Sequence, residues 1–340
     1  MSRVLVTGGA GYIGSFARQA LLRAGHETIV YDNLSQGHRE AVERLATQHP
    51  GKVTLIEGDI RDTTKVRDAL ANHRIEAVMH FAARLIVNES VYKPAEYYDA
   101  NVGGALSVLS AMRDARVSRF IFSSTCATFG EPEKTPMGED HPQRPINSYG
   151  ETKLAVERAL PHYERAYGIR WVVLRYFNAA GADPDGVIGE DHDPEIHLIP
   201  RAIDATMGAE PLALFGDDYP TPDGTCLRDY IHVHDLADAH LRAMGRLEDG
   251  GASAAYNLGT GTPASVREIL TSVERVTGRP VPHAVKPRRE GDPAALFAAN
   301  DKIKRELAWQ PRFTDLDAIV DSAWQWRRRH PQGYRSAAPR

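Results

Sequence analysis

Residues 3–15 read Arg3-Val4-Leu5-Val6-Thr7-Gly8-Gly9-Ala10-Gly11-Tyr12-Ile13-Gly14-Ser15. A short apolar run breaks into a glycine turn, and Phe16, Leu21 and Leu22 continue it as an amphipathic stretch. Strand, tight turn and helix in that order aim several backbone N–H groups at one spot, at the positive end of the helix, which suits a pyrophosphate. Side chains at Gly8, Gly11 or Gly14 would keep the backbone off the phosphates or hold the helix off the sheet. The glycines alone leave a plain turn open; the next strand decides. Thr28-Ile29-Val30-Tyr31 ends in Asp32, about twenty residues past the last glycine, where a carboxylate accepts the ribose hydroxyls of a dinucleotide. Asp32 would repel a 2′-phosphate, and Asn33 rather than an arginine follows it, so NAD is expected over NADP.

The pattern repeats outward. Val53-Thr54-Leu55-Ile56 and Ala77-Val78-Met79-His80-Phe81 read as strands, with a helix over Thr63 to Asn72 between them. Such alternation implies parallel pairing and right-handed crossovers. Gly58-Asp59-Ile60 follows the third strand at the adenine end, where a plain turn is an equal reading. Ala82 and Ala83 are small enough for a cofactor to lie against the backbone. Pro94 opens a helical stretch to about Ala115 with an apolar stripe at Val102, Leu106, Leu109 and Met112, of the kind that forms core or a subunit contact.

At 340 residues the chain is long enough for one large domain or two smaller ones, and 42% hydrophobic with 25% charged residues is ordinary for a globular protein. A net charge of −4 offers no basic patch for nucleic acid. Neither a membrane span nor the apolar core of a signal peptide is present, so a cytoplasmic protein with no membrane partner is expected. Two cysteines, Cys126 and Cys226, make no disulfide framework. A basic, frayed tail is expected from Arg327 to Arg340.

The chemistry-bearing residues come later. Phe120-Ile121-Phe122 ends in Ser123-Ser124-Thr125, hydroxyls at the carboxyl end of a parallel strand and hence at the ligand crevice. Ser148 and Glu151 fit a capping box that starts a helix, which places Tyr149 and Lys153 four residues apart on one helical face. A tyrosine titrates near 10, and making it a base near neutrality takes about 4 kcal/mol. A nearby ammonium and a positive nicotinamide ring could supply that. His232-Val233-His234-Asp235 could suggest a metal, but no further ligand has suitable spacing, and none is expected.

Gly8, Gly11 and Gly14, Asp32, Ser124-Thr125 and Tyr149 with Lys153 resemble the extended short-chain dehydrogenase/reductase family. Leu174-Arg175-Tyr176-Phe177-Asn178, the run Phe215 to Thr221, Asp223-Gly224-Thr225, Arg228 to Val233 and Pro287 to Asp292 narrow that resemblance to the UDP-glucose 4-epimerases, over nearly the whole chain. The resemblance implies a Rossmann-type doubly wound parallel α/β sheet with a smaller α/β substrate-binding domain. Residues 1–175 would bind NAD; residues 176–340 would mainly bind a UDP-sugar and could interleave with the first. The cofactor surface is expected to take in Gly8, Gly11, Tyr12, Ile13, Gly14, Asp32, Asn33, Asp59, Ile60, Phe81, Ala82, Ala83, Asn101, Ser123, Tyr149, Lys153 and Tyr176. The resemblance further implies that Arg228 and Arg289 hold the diphosphate and ribose, with Asn178, His197, Leu198, Phe215, Tyr230, Asp292 and Leu296 lining the nucleotide-sugar site. It implies an isomerase in which Thr125, Tyr149 and Lys153 are catalytic, and a homodimer through the helix after Pro94 and the helix carrying Tyr149.

The chain departs from that pattern at four places. His197 stands where many members carry Asn, Asn88 where Gly is common, and Leu85 where some place Lys. Leu296 falls at the position where a bulky Tyr restricts the sugar and a small residue admits an N-acetyl group. UDP-glucose and UDP-galactose are the expected pair; UDP-xylose with UDP-arabinose, or the N-acetylhexosamines, are the alternative. A 4,6-dehydratase would need an acid and a base directly after Thr125, where Cys126-Ala127 stand. A cofactor-binding sensor would typically have lost Tyr149 or Lys153.

Overall fold

A computed structural model of the chain describes residues 1–289 and 292–335. Glu290 and Gly291 of the Pro287-to-Asp292 motif, and residues 336–340 of the expected tail, lie outside them.

The first half of the chain supplies six strands, all but the edge strand β3 largely buried on both faces: β1 (Arg3–Thr7), β2 (Glu27–Asp32), β3 (Val53–Glu57), β4 (Ala77–His80), β5 (Arg119–Thr125) and β6 (Arg170–Tyr176). A seventh strand, Ala254–Leu258, joins from the second half, and the order runs Ala254–Leu258, β6, β5, β4, β1, β2, β3. Every neighbouring pair is parallel. Burial on both faces is what continuous Val, Ile and Leu runs demand. On one face Val4, Val6, Met79 and Val172 pack with Leu21, Leu236 and Met244. On the other, Leu5, Val78, Phe120 and Phe122 pack with Leu70, Leu109 and Leu160.

Strand order reverses between β1 and β4, and at such a switch point a crevice opens beyond the carboxyl ends of the strands. α1 (Tyr12–Arg23) starts at that crevice. The second half covers it with helices Leu198–Thr206, Val266–Thr277 and Leu316–Arg329, which share one apolar core. Three short sheets complete it: Asn178–Ala180 beside Tyr230–His232, Leu212–Phe215 beside His283–Lys286, and Leu227–Arg228 between Ala264–Ser265 and Ala295–Leu296.

Three local expectations are corrected. The Tyr149 helix, Ser148–Tyr167, is capped by Asn147, whose side chain accepts the Gly150 N–H, so the Ser148–Glu151 box does not form. The stretch after Pro94 is helical to Ala115, but its turn Tyr98–Gly103 is of the wide π type. Arg327–Arg329 are not frayed: they finish a helix anchored by buried Trp324 and Trp326. Both cysteines are free and buried, and among the described residues no helix is long and apolar enough to cross a membrane.

Candidate active site

The glycine turn fits a dinucleotide for stated physical reasons. Gly8 has φ +69°, and a Cβ there would sit 2.5 Å from the Ala82 nitrogen, so β1 and the chain after β4 approach as only glycine allows. A Cβ on Gly14 would strike the Gly8 carbonyl oxygen. No side chain caps α1 at Gly11, which leaves the first N–H groups of the helix, at Tyr12 and Ile13, open to an anion. Beneath the turn Arg18 is fully buried, gives one Nη1 bond to the Gly9 carbonyl, and has Nε and Nη2 without partners among the described residues. Burial pulls its pKa down to about 9, against the pull of Tyr334 and Asp32. It was missed in sequence, although a lone cation on the apolar face of α1 is a readable signal.

Asp32 closes β2 with each carboxylate oxygen taking one backbone N–H, from Ala10 at 2.9 Å and from Leu34 at 2.9 Å. Its remaining lone pairs suit two ribose hydroxyls. Asn33 is exposed beside it, and at the adenine end Asp59 pairs with Arg61, which bridges to Asp99. That hydrogen bonding holds the Asp59 carboxyl down at about 2. Ile60 packs on Gly104, and the N–H groups of Phe81 and Ala82 both bond the Thr7 carbonyl. Asn101 does not offer its side chain: it is bonded to the Arg84 N–H and carbonyl and to the Thr152 hydroxyl, and so fixes the loop that follows Ala83.

Tyr149 stands in the first turn of its helix, its N–H bonded to the Ser90 hydroxyl and its phenol within reach of the Thr125 hydroxyl. Tyr149 is half-buried as a residue, and desolvation of its hydroxyl pushes the phenol above its usual range; Cys126 adds to this and Thr125 opposes it. Lys153 is buried one turn on, its ammonium 2.9 Å from the Ser123 carbonyl and 5.9 Å from the Tyr149 ring. Burial lowers it to about 8, with Glu157 opposing. The expected depression of the phenol by Lys153 is therefore not seen in the chain by itself, because desolvation outweighs an ammonium at that distance. Tyr176 donates to the Ser123 hydroxyl, ordering the β5 end.

A network missed in sequence supports Lys153. Glu157 accepts from Arg175 through both Nε and Nη2 and from Ser124 Oγ at 2.5 Å in a buried setting, and from Gln143 at 3.0 Å at its half-buried margin. Tyr149, Lys153 and Glu157 fall at i, i+4 and i+8, a spacing that could have found it.

The predicted sugar-side residues come together in the second half. Arg228 is buried and paired with Asp292 at 2.8 Å; Leu296 lies beside it in register, and Tyr230 is in register with Asn178. The Arg289 guanidinium stands 3.8 Å over the Phe215 ring, a cation–π contact that holds these two predicted residues together. Leu198 joins the core that holds Tyr230. His197 is drawn elsewhere, its Nδ1 turned onto Glu190. His232 and His234 have other partners: His232 stacks 3.8 Å from Phe313 and bonds Ser322, and His234 lies 3.4 Å from Asp183.

Residues 4–259 match the NAD dependent epimerase/dehydratase family. The chain belongs to that family. The chain is 52% identical over 333 residues to the UDP-glucose 4-epimerase of Rhizobium meliloti, covering 98% of this chain and 99% of that one. It superposes on UDP-glucose 4-epimerase from Brucella ovis in complex with NAD at TM-score 0.91 and 49% identity, over 96% and 98% of the two chains. The Bifidobacterium longum enzyme in complex with NAD+ and UDP superposes at TM-score 0.92 and 38% identity, over 98% and 100%.

Gly14→Ala is expected to cut the NAD retained through purification at least tenfold, about 1.4 kcal/mol of binding, because the new methyl meets the Gly8 carbonyl. Chromatography of the denatured extract measures it; wild-type NAD content in a folded variant would contradict the role of the turn.

Proposed function

We propose that this chain is a UDP-glucose 4-epimerase that interconverts UDP-galactose and UDP-glucose. The observation that carries the reading is the meeting of the Tyr149 phenol with Thr125 at the carboxyl end of β5, followed by Cys126 and Ala127 rather than an acid and a base. The Cys126 thiol, pushed up to about 12 by burial, cannot serve as either. Elimination is thus unsupported, and redox chemistry at one carbon remains.

Bound NAD supplies the reversible hydride acceptor at carbon 4 and a positive charge beside the site. The rest falls to side chains. Tyr149 takes the proton of the 4-hydroxyl as the carbon is oxidised to the ketone, and returns it when the other face is reduced. Thr125 holds that oxygen through its hydroxyl. Lys153 stays protonated below about pH 8 and adds to the charge that brings the phenol within range. Arg228 and Arg289 grip the diphosphate so that the keto sugar can turn over without leaving, and Phe215, Asn178, Leu198, Tyr230 and Asp292 line the nucleotide end.

The sugar depends on Leu296, which is partly buried beside Arg228. Its intermediate size keeps UDP-xylose with UDP-arabinose, or the N-acetylhexosamines, as the second reading. Residues 1–175 are assigned to NAD and 176–340 mainly to the UDP-sugar, with the strand Ala254–Leu258 crossing between them. A homodimer is supported by exposed Val91, Tyr92, Tyr98 and Tyr167 around the two helices concerned, whereas Leu109 and Met112 of the expected stripe are spent in the core. The cytoplasm is the compartment assigned.

The test supplies UDP-galactose to purified protein with no added cofactor and detects UDP-glucose with a UDP-glucose dehydrogenase. Product is expected. Its absence from protein that carries NAD would move the assignment to another UDP-sugar, read from a panel; absence from protein unable to take up NAD would overturn the enzyme reading.

A further inference from the structure

Away from Tyr149, Glu190, His192, Glu195 and His197 converge from one loop, residues 190–197, just before the helix Leu198–Thr206. We propose that these four side chains form a binding site for a divalent transition metal of the zinc type. One donor atom from each lies within 4.8 Å of the other three.

The second observation is at His192. Its side chain is only 9% exposed and its Nδ1 is buried without a hydrogen-bond partner among the described residues. Yet that nitrogen lies 3.1 Å from Glu190 Oε1 and 3.6 Å from Glu195 Oε1. Ligands 2.0–2.2 Å from a tetrahedral ion stand about 3.3 Å from one another, so these separations bracket the edge of a coordination shell. His197 Nδ1 meets the same Glu190 oxygen. Two imidazoles thus aim the same ring atom at one buried carboxylate, and coordination needs the His197 ring to draw back from it to ligand spacing.

Two imidazole nitrogens with two carboxylates suit zinc, and the two negative charges balance a dication. The donors are already oriented. Glu195 Oε1 accepts the Ile196 and His197 N–H groups, and the rings of His192 and His197 cross at 81° with centroids 5.2 Å apart. An open cavity of about 490 Å³ reaches Glu190, His192 and Glu195 and gives an ion its path. The arginines on its wall, Arg327 and Arg335, are paired with Asp204 and Asp193, so neither guanidinium occupies the cluster's carboxylates. A metal here pins the loop that delivers Leu198; it takes no part in the chemistry at Tyr149.

The test uses the untagged full chain, stripped with a chelator, loaded with zinc or cobalt chloride and desalted. About one metal per chain is expected, with the visible bands of four-coordinate cobalt on the unmodified protein. His192→Asn and Glu190→Gln should each lower retention at least tenfold, while His162→Asn on the surface leaves it unchanged. No stoichiometric metal on the wild type, cobalt without those bands, or full retention by folded His192→Asn would each overturn the site and leave an ion-pair network in its place.

Discussion

Tyr149→Phe is expected to lower kcat by about 10²–10⁴-fold, some 3–5 kcal/mol of barrier, while leaving UDP affinity within about twofold of the wild type. The phenol hydroxyl is the group placed to exchange a proton with the sugar oxygen, and Thr125, its neighbour, has a hydroxyl far too weakly acidic to substitute. The nucleotide end is built from other parts of the chain, with Arg228 paired to Asp292 and Arg289 over Phe215. Losing a group that acts only in the transition state changes kcat without changing ground-state binding. The phenylalanine ring keeps the packing and the N–H bond to Ser90, so misfolding is not the expected cause. Steady-state rates in the coupled assay, with UDP binding by calorimetry, measure both quantities. A variant within about threefold of wild-type turnover would remove Tyr149 from the mechanism.

What could be read in sequence followed the physics of each signal. Apolar runs bounded by turn residues made β1 to β5 stand out, and the helix Thr63–Asn72 ends where its periodicity ends. Helix Arg39–Gln48 went unread although its buried Ala41, Val42 and Leu45 form a stripe as wide as that of Thr63–Asn72. The wide turn at Tyr98–Gly103 carries no sequence period at all; Asn101 within it is tied to Arg84 and Thr152, partners distant in the chain. Glycine spacing, Asp32 and the Tyr149–Lys153 pair were legible because the chemistry fixes both residue type and spacing. The support beneath them was not, since Arg175 comes 18 residues after Glu157, and pairing on that scale is set by the fold. The Glu190-to-His197 cluster was passed over for His232 and His234, which adjoin Asp235 in sequence but are consumed by stacking in space.

That buried support yields the second large effect. Glu157→Ala leaves the Arg175 guanidinium, 7% exposed at its side chain, with no counter-charge, and strips the Ser124 hydroxyl of its acceptor. Breaking one side of a buried pair typically costs about 3–5 kcal/mol, because the desolvated partner stays behind. A loss of that size is expected in urea unfolding. Replacing both members, as Glu157→Met with Arg175→Met, should restore most of the stability, since well-packed apolar side chains replace such a pair at little net cost. A single variant that loses less than about 1 kcal/mol would show that water still reaches the pair. Turnover separates support from packing. Glu157 holds up the pKa of Lys153 against burial, so with that carboxylate gone the ammonium is lost at lower pH. The stable double variant is therefore expected to keep a turnover that falls off at lower pH than in the wild type. Stability recovered without that shift would reduce Glu157 to a packing residue.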